Sequence, residues 1–187
     1  MRGFLTIINF IFFLQVHVLF SNFQEEKETI ILGAESIEEF IPLLENKKIG
    51  LVSNSSSVIR TENKLVHLLD TLLKLKQEVK AVFAPEHGFL SNKENGALIK
   101  NDFDYKRNIN IYSLYGKNKK PSPNQLKGID IMVFDLQDVG ARFYTYLSTL
   151  YYTMQACAEN KVPLIILDRP NPNGHYIDGP ILEKEFI

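Results

Sequence analysis

Residues 79–88 read Val79-Lys80-Ala81-Val82-Phe83-Ala84-Pro85-Glu86-His87-Gly88, and this segment carries the strongest structural signal in the chain. An apolar, β-branched run that ends in Pro and Gly predicts a buried strand that leaves its sheet and turns. Glu86 and His87 then lie at the carboxyl end of a strand, the edge at which open α/β sheets bind ligands. A turn whose Glu and His simply face water is the alternative, because short motifs often match by chance.

Two further predicted strands also end in polar side chains. Residues 129–135 lead into a segment that carries Gln137, Asp138 and Arg142, and residues 162–167 lead into Asp168 and Arg169. A structural sheet needs only turn-forming residues at these points. Ionisable groups that converge at strand ends are typical of a ligand site.

The rest of the chain alternates predicted strands and helices. Strands are expected over residues 48–53, 79–84, 109–114, 129–135 and 162–167. Helices are expected over residues 36–44, which open with a capping-box pattern, over 61–76 and over 145–160. The last helix places on one face Leu147, Leu150, Tyr151, Met154 and Ala158. The alternation predicts an α/β fold with a mostly parallel sheet and right-handed crossovers.

Composition and charge narrow the class of protein. A hydrophobic fraction of 45% in 187 residues is enough for a buried core, and the net charge of -1 gives no electrostatic case for binding nucleic acid or an anionic membrane surface. Cys157 is expected to be a small buried residue rather than a reactive thiol. The chain contains neither a Gly-x-Gly-x-x-Gly nor a Walker A pattern, so no nucleotide cofactor is expected.

The first residues form a separate segment. Arg2 precedes a strongly apolar run over residues 4–20, which is typical of a secretory signal peptide. We expect residues 1–23 to be a signal peptide or, as the alternative, an uncleaved N-terminal anchor, which would be the only contact with a membrane. Residues 24–187 are expected to form one exported domain, periplasmic or extracellular.

The chain also resembles a known family. The resemblance is carried by motifs that occur in this order: Gly50-Leu51-Val52-Ser53-Asn54, residues 83–88, Ile111-Tyr112-Ser113-Leu114-Tyr115-Gly116, Lys120-Pro121-Ser122-Pro123, residues 133–146, and Leu167-Asp168-Arg169-Pro170-Asn171-Pro172. These motifs closely resemble the DUF1343 family, whose characterised members are exo-β-N-acetylmuramidases of the NamZ type. The resemblance implies a Rossmann-like, three-layer N-terminal domain and a smaller C-terminal domain, with a muramic-acid-containing glycan in the cleft between them. On this basis the chain is expected to be an incomplete N-terminal domain that stops before the family's C-terminal domain.

The resemblance and the residues point to the same catalytic candidate. Hydrolysis of a glycosidic bond usually needs a proton donor and a second carboxylate. Glu86 is the expected acid or base, and apolar Phe83 and Phe89 beside it would raise its pKa by desolvation. His87 is expected to orient Glu86 or to donate to the sugar, and a purely structural role for His87 is equally open. The second carboxylate, and with it retention or inversion, is left open.

Substrate binding is expected from the loops at the same edge. Arg142 could bind the lactyl carboxylate of muramic acid through two hydrogen bonds, or it could pair with Asp138 within its own loop. Asn54 could bind substrate or cap the turn after the first strand.

Two aromatic and two charged side chains complete the candidate set. Tyr144 and Tyr146 could stack on sugar rings or line the cleft. Asp168 and Arg169 could bind the ligand or support the site from behind.

Two other functions stay open. A metal-dependent hydrolase could use Glu86, His87, Asp168 and His175, although no His-Glu-x-x-His spacing is present. A non-catalytic or degenerate glycan-binding protein is the second alternative.

Overall fold

The computed structural model describes residues 30–62, 64–90 and 100–186. The strands are β1 (Lys48–Ser53), β2 (Val58–Arg60), β3 (Leu65–His67), β4 (Glu78–Ala84), β5 (Asp102–Asp104), β6 (Ile109–Ser113), β7 (Ile131–Asp135) and β8 (Leu164–Ile166). The α-helices are α1 (Ile37–Leu44), α2 (Leu68–Lys74), α3 (Pro123–Leu126) and α4 (Tyr146–Asn160), and short 3₁₀ turns span Gly33–Glu35 and Lys184–Phe186.

The main sheet has six strands in the order β5-β6-β4-β1-β7-β8. All neighbours in it are parallel except β5, which pairs antiparallel with β6. The five parallel strands follow the 3-2-1-4-5 order of Rossmann folds, in which the chain direction across the sheet reverses between the first and fourth strands. The predicted α/β fold with a mostly parallel sheet is confirmed. The reversal point lies between β1 and β7, where Ser53 aligns with Asp135.

Two apolar clusters cover the two faces of the sheet. Because side chains alternate along a strand, Ile49 and Leu51 of β1 join α1 and α2 on one face, whereas Val52 joins α3 and α4 on the other. The same alternation divides β7, whose Val133 and Phe134 belong to opposite clusters. Helices on both faces therefore bury most of the sheet.

The helix predicted over residues 61–76 is wrong at its amino-terminal end. Residues 65–67 form β3, which pairs antiparallel with β2, and the helix begins at Leu68. His67 ends the strand and caps the helix, because its Nδ1 accepts a hydrogen bond from the Leu69 N–H at 3.1 Å. Leu65, which lies within the predicted helix, is instead exposed in the hairpin.

The buried face of α4 also differs from the apolar face that its sequence suggests. The side chains that pack on the sheet are those of Tyr146, Thr149, Thr153, Ala156 and Cys157. Most of these are small, which lets the helix approach the sheet closely. The larger apolar side chains share a face as predicted, but that face points largely to solvent.

The N-terminal segment lies outside the described residues, so the signal-peptide expectation for residues 1–23 stays a prediction. Among the helices of residues 30–62, 64–90 and 100–186, none is long and apolar enough to cross a membrane.

Candidate active site

The site centres on the turn that follows β4. Gly88 donates its N–H to the Pro85 carbonyl at 3.0 Å, which closes a four-residue turn around Glu86 and His87. His87 has a φ of 70°, and Gly88 follows with a φ of 78°. A positive φ at the third position is what a type II turn requires, and it is usually supplied by Gly or Asn. His87 therefore occupies a backbone conformation that costs a non-glycine residue free energy.

Glu86 is held by the start of α4. The Thr145 hydroxyl donates to Oε2 of Glu86 at 2.8 Å, and Thr145 is the N-cap residue of this 15-residue helix. The Thr145 hydroxyl therefore donates to Glu86 and makes no capping hydrogen bond to the helix backbone. The N-terminus of a helix carries partial positive charge, which favours a nearby carboxylate. A hydrogen bond with the same carboxylate raises the pKa of the Tyr115 phenol.

Asn54 ties the loop after β1 to α4. Its Nδ2 donates to the Tyr146 hydroxyl at 2.6 Å, and its Oδ1 accepts from both the N–H and the hydroxyl of Ser56. The hydroxyl of Ser57 donates to the backbone carbonyl of Asp135 at 2.5 Å, which joins this loop to the end of β7. Asn54 is only 2% exposed. The geometry thus gives Asn54 a supporting position beneath the surface.

His67 supports the same loop from the other side. Its Nε2 lies 2.8 Å from the Asn54 carbonyl, and its Nδ1 accepts from the Leu69 N–H. These two bonds are both satisfied when the ring is neutral and carries its proton on Nε2. Burial lowers the pKa of His67, against opposing contributions from the Asn54 hydrogen bond and from Asp70 and Asp135. The ring also contacts Phe89 edge-on, with centroids 5.1 Å apart.

A buried ion pair joins the ends of β7 and β8. The Arg169 guanidinium donates from Nε to Oδ1 of Asp135 at 2.5 Å and from Nη2 to Oδ2 at 3.1 Å. Nη2 also donates to the Val58 carbonyl at 3.0 Å. Burial raises the pKa of the Asp135 carboxyl, and the Arg169 charge opposes that shift. Both side chains are almost fully buried. Arg169 therefore joins its own loop to the end of β7 and to the start of β2.

Only one of the two carboxylate oxygens of Asp138 accepts a hydrogen bond from the described residues. Its Oδ2 accepts from the Gly140 N–H at 2.8 Å. Its Oδ1 is buried and has no hydrogen-bond partner within residues 30–62, 64–90 and 100–186. An unpaired buried carboxylate oxygen is costly, and such atoms mark functional candidates.

Of the two alternatives for Arg142, the ion pair with Asp138 is not formed. Arg142 is exposed, and its Nη2 donates instead to the Pro180 carbonyl at 2.5 Å. The guanidinium therefore lies beside the C-terminal loop, with its charge not neutralised by Asp138.

The remaining predicted residues are Tyr144, Tyr146 and Asp168. The rings of Tyr144 and Tyr146 pack edge-on with centroids 4.7 Å apart. Tyr146 is buried, and that burial raises the pKa of its phenol well above the usual range. Asp168 is exposed, and only its backbone is engaged, since its carbonyl accepts from the Gly33 N–H at 2.8 Å.

Metal and thiol chemistry find no support in the described geometry. The described part of the chain holds no group of three or more His, Cys, Asp or Glu side chains placed to bind a metal ion. Cys157 is free and buried within the α4 face of the core, as expected, and burial raises the pKa of its thiol to about 11.

Sequence reasoning missed three residues of this arrangement. Tyr115 follows a predicted strand and Thr145 begins a predicted helix, so the sequence could have indicated both positions. His67 did not, because the leucine spacing that surrounds it favoured a continuous helix.

Comparison with known proteins shows the family to which the chain belongs. Residues 49–187 match the family described as exo-beta-N-acetylmuramidase NamZ, N-terminal. The chain is 45% identical over 144 residues to the peptidoglycan beta-N-acetylmuramidase NamZ of Bacillus subtilis (strain 168), a match that covers 76% of this chain and 34% of that protein.

Solved structures show the same similarity. A DUF1343 family protein from Bacteroides fragilis NCTC 9343 is 44% identical with a TM-score of 0.68, and the match covers 84% of this chain and 40% of that one. A second protein of that family from the same strain is 38% identical with a TM-score of 0.71, covering 83% and 39%. The chain thus spans between a third and two fifths of the length of these relatives.

Proposed function

Because the chain belongs to the family of NamZ N-terminal domains, we propose that it forms one side of the active site of an exo-β-N-acetylmuramidase. Such an enzyme releases terminal N-acetylmuramic acid from peptidoglycan fragments. The observation that carries this proposal is the position of Glu86, whose carboxylate accepts from Thr145 at the start of α4. The B. subtilis relative is a peptidoglycan beta-N-acetylmuramidase by its name.

Glu86 is the proposed general acid or base. The bond from Thr145 and the neighbouring Tyr115 hydroxyl fix the carboxylate at the carboxyl edge of the sheet. A positioned acid can protonate the leaving glycosidic oxygen as the bond to the sugar breaks. His87, next in the turn, is proposed to orient Glu86 or to donate to the sugar.

Asp138 is the proposed second carboxylate. Asp135 is unsuited to that role, because both of its oxygens are engaged by Arg169 in the buried ion pair. Asp138 instead retains an oxygen without a partner among the described residues. In glycosidases the second carboxylate activates water or attacks the anomeric carbon.

Substrate recognition is proposed for the surface loops. Arg142 is exposed and can offer a planar guanidinium to the lactyl carboxylate of muramic acid. Tyr144 is half-buried and can present its ring to a sugar. Asn54, Tyr146 and Arg169 are proposed to act by holding these loops in place.

A chimeric enzyme tests the proposal. Residues 49–187 of this chain replace the matched segment of the B. subtilis relative, and turnover of a chromogenic N-acetylmuramic acid glycoside is measured. Glu86→Gln should lower kcat about 100-fold or more, the usual scale of acid–base catalysis. Glu78→Gln is the matched control, because Glu78 lies exposed at the opposite end of the same strand. Equal activity of the two variants would remove Glu86 from the mechanism.

Glycan binding without turnover is the second candidate function. It is supported by the exposed Arg142 guanidinium and the half-buried Tyr144 ring, which can bind a glycan whether or not Glu86 acts on it. Equilibrium binding of a muramic-acid-containing disaccharide to the 187-residue chain, together with the absence of released sugar, would favour it. Release of N-acetylmuramic acid by the chain alone would exclude it.

Export is proposed from the N-terminal sequence. Arg2 followed by the apolar run to residue 20 is typical of a signal peptide, and peptidoglycan fragments occur outside the cytoplasmic membrane. Fractionation of cells that express the tagged chain checks this. Recovery from the cytoplasm alone would contradict export.

A further inference from the structure

A series of hydrogen-bonded side chains leads from the loop after β1 to the surface of the candidate site. We call the side chains of Asn54, Tyr146 and Tyr144, in that order, the Asn54 chain. Asn54 and Tyr146 are buried, and Tyr144 is half-buried. Because a hydroxyl can both donate and accept a hydrogen bond, the role of Tyr144 depends on the direction in which the donors point along the Asn54 chain.

Backbone donors fix the orientation of the Asn54 amide. Its Oδ1 accepts from the Ser56 N–H at 2.9 Å and from the Ser56 hydroxyl at 2.6 Å. That hydroxyl in turn accepts from the Gln137 N–H at 3.2 Å, so its own proton is directed to Asn54. A backbone N–H can only donate, so turning the amide over would bring two donors together. The Nδ2 of Asn54 therefore faces Tyr146 as a donor.

Tyr146 passes the same direction on to Tyr144. Its hydroxyl accepts from Nδ2 of Asn54 at 2.6 Å, so its own proton points to another acceptor. The rings of Tyr146 and Tyr144 are in edge-on contact. Burial is the largest cause of the raised pKa of the Tyr146 phenol, and the charge of Tyr144 and a hydrogen bond with Tyr144 raise that pKa further. A hydrogen bond raises the pKa of a phenol when the neutral phenol donates it. Tyr146 is thus the donor and Tyr144 the acceptor.

Tyr144 completes the Asn54 chain as a donor beside Glu86. Its oxygen accepts from Tyr146, so its own proton is directed to an acceptor at the surface of the site. Thr145 lies between the two tyrosines in sequence, and its hydroxyl donates to Oε2 of Glu86 at 2.8 Å. The last hydroxyl of the Asn54 chain is therefore placed close to the candidate catalytic carboxylate.

The chemistry of the proposed substrate identifies the acceptor that fits. The ring hydroxyls of N-acetylmuramic acid can donate as well as accept, whereas its acetamido carbonyl oxygen can only accept. The acetamido group is carried by the carbon next to the anomeric carbon, which is the carbon whose bond Glu86 is proposed to cleave. The other acceptor-only group of this sugar, the lactyl carboxylate, is charged and suits the Arg142 guanidinium better than a neutral phenol.

We propose that Asn54 is a positioning residue that acts through Tyr146 to make Tyr144 a hydrogen-bond donor to the acetamido carbonyl oxygen of N-acetylmuramic acid. This inference rests on the proposed function and names one determinant of its specificity. A sugar that carries a free amine at the same carbon presents an ammonium group at neutral pH, which can only donate. The Tyr144 proton then has no acceptor, and binding is weaker. The Asn54 chain thereby selects the N-acetylated sugar.

Binding of two monosaccharides to the chimeric enzyme tests the proposal. Dissociation constants are measured for N-acetylmuramic acid and for muramic acid, which lacks the acetyl group. Asn54→Asp replaces the Nδ2 donor by an acceptor of the same shape, so that Tyr146 donates to residue 54 and the direction reverses. The ratio of the Kd for muramic acid to the Kd for N-acetylmuramic acid should fall about tenfold or more. Asn160→Asp makes the same chemical change at the other end of α4 and should leave the ratio unaltered.

Two further variants separate the direction of the hydrogen bonds from the charge of the new carboxylate. Tyr144→Phe removes the last donor without adding charge and should lower the ratio to a similar extent. In the Tyr144→Phe background, Asn54→Asp should change the ratio little, because its effect passes through Tyr144. Tyr146→Phe interrupts the Asn54 chain but keeps the ring, so it supplies the same test if the buried aspartate prevents folding.

Several results would overturn the inference. One is an unaltered ratio in a folded Asn54→Asp variant or in Tyr146→Phe. Another is a change in the ratio that persists when Tyr144 is absent, because the new charge would then act directly. Equal weakening of binding for both sugars would give Asn54 a purely structural role, and failure of the chimeric enzyme to bind N-acetylmuramic acid would leave no ligand to select. The readout is binding, so the expected ratios combined with full turnover in Glu86→Gln would contradict the catalytic role of Glu86 alone.

Discussion

The Thr145 hydroxyl donates a 2.8 Å hydrogen bond to Oε2 of Glu86. A hydroxyl that would normally cap its own helix is thereby used to hold the candidate catalytic carboxylate. Thr145→Val keeps the shape of the side chain and removes the donor. In the chimeric enzyme we expect kcat to fall about tenfold, since a hydrogen bond to a charged group contributes about 1.5–3 kcal/mol. Thr145→Ser restores the donor and should recover most of the activity; a Ser variant as slow as the Val variant would contradict the role.

The Tyr115 phenol reports on the Glu86 carboxylate without any assay of turnover. The pKa of Tyr115 is raised above 10.0 by its hydrogen bond with Glu86. Glu86→Gln removes the negative charge, so the pKa of Tyr115 should fall back toward that ordinary value. Titration of the labelled tyrosine by NMR measures the change, and an unaltered titration curve would mean that the two groups are not in contact.

Breaking the buried Asp135–Arg169 pair should be far more damaging than breaking a surface pair. Arg169→Met leaves Asp135 charged and buried, which costs about 3–5 kcal/mol. Lys120→Met removes a partner of Glu159 in a partly exposed pair and should cost less than about 1 kcal/mol. Urea unfolding of residues 30–187 measures both changes in the free energy of unfolding. Similar values for the two variants would contradict a larger contribution from the buried pair.

His67 should make stability depend on pH. Because burial lowers its pKa below 6.5, the unfolded chain binds the proton more readily than the folded chain. The free energy of unfolding should therefore decrease as the pH falls below 6.5, by up to about 1.4 kcal/mol per pH unit until the folded-state pKa is reached.

Variants separate this contribution from that of the carboxylates. His67→Gln should show a weaker pH dependence between pH values of roughly 7.5 and 5.5. His175→Gln, at an exposed histidine, should retain the dependence of the unaltered chain. Parallel stability curves for the two variants would exclude His67 as the source.

The turn conformation at His87 predicts an unusual order of stabilities. With a φ of 70° at this position, glycine fits without strain, whereas alanine keeps the strain and loses the imidazole. His87→Gly should therefore be more stable than His87→Ala by about 1 kcal/mol. Thermal unfolding of the two variants checks this order; the reverse order would mean that the backbone changes conformation once the imidazole is removed.

The five parallel strands could be predicted because their signal is local, whereas the short strands β2, β3 and β5 were not predicted. Apolar runs followed by turn residues located β1, β4 and β7, and the carboxyl ends of these strands carry Asn54, Glu86 and Asp135. Contacts between loops distant in sequence had no such signal. The hydrogen bond that the Thr145 hydroxyl donates to Oε2 of Glu86 depends on where α4 begins in space, and no local sequence pattern gives that position.

Periodicity was less informative than the strand signals. Helical spacing of apolar residues predicts one helix over residues 61–76 and a common face for the larger apolar side chains of α4. In the first case, Leu65 pairs in a hairpin with β2. In the second, small side chains such as Thr149 and Ala156 pack on the sheet while Leu147 is exposed. Periodicity identifies a face that can be buried, and tertiary contacts decide whether it is.

The Asn54–Tyr146 hydrogen bond has a consequence for how the protein is made. It joins residues 92 positions apart in sequence, and the Arg169–Val58 bond spans 111. At ribosomal rates of about 5–20 residues per second, Asn54 is synthesised roughly 5–20 s before Tyr146. During that interval the loop after β1 cannot reach its final geometry, even if β1 and β4 have already paired. The loops after β1 thus become ordered only once residues 146 and 169 have been synthesised, so an ordered site reports that this whole stretch of the chain has folded.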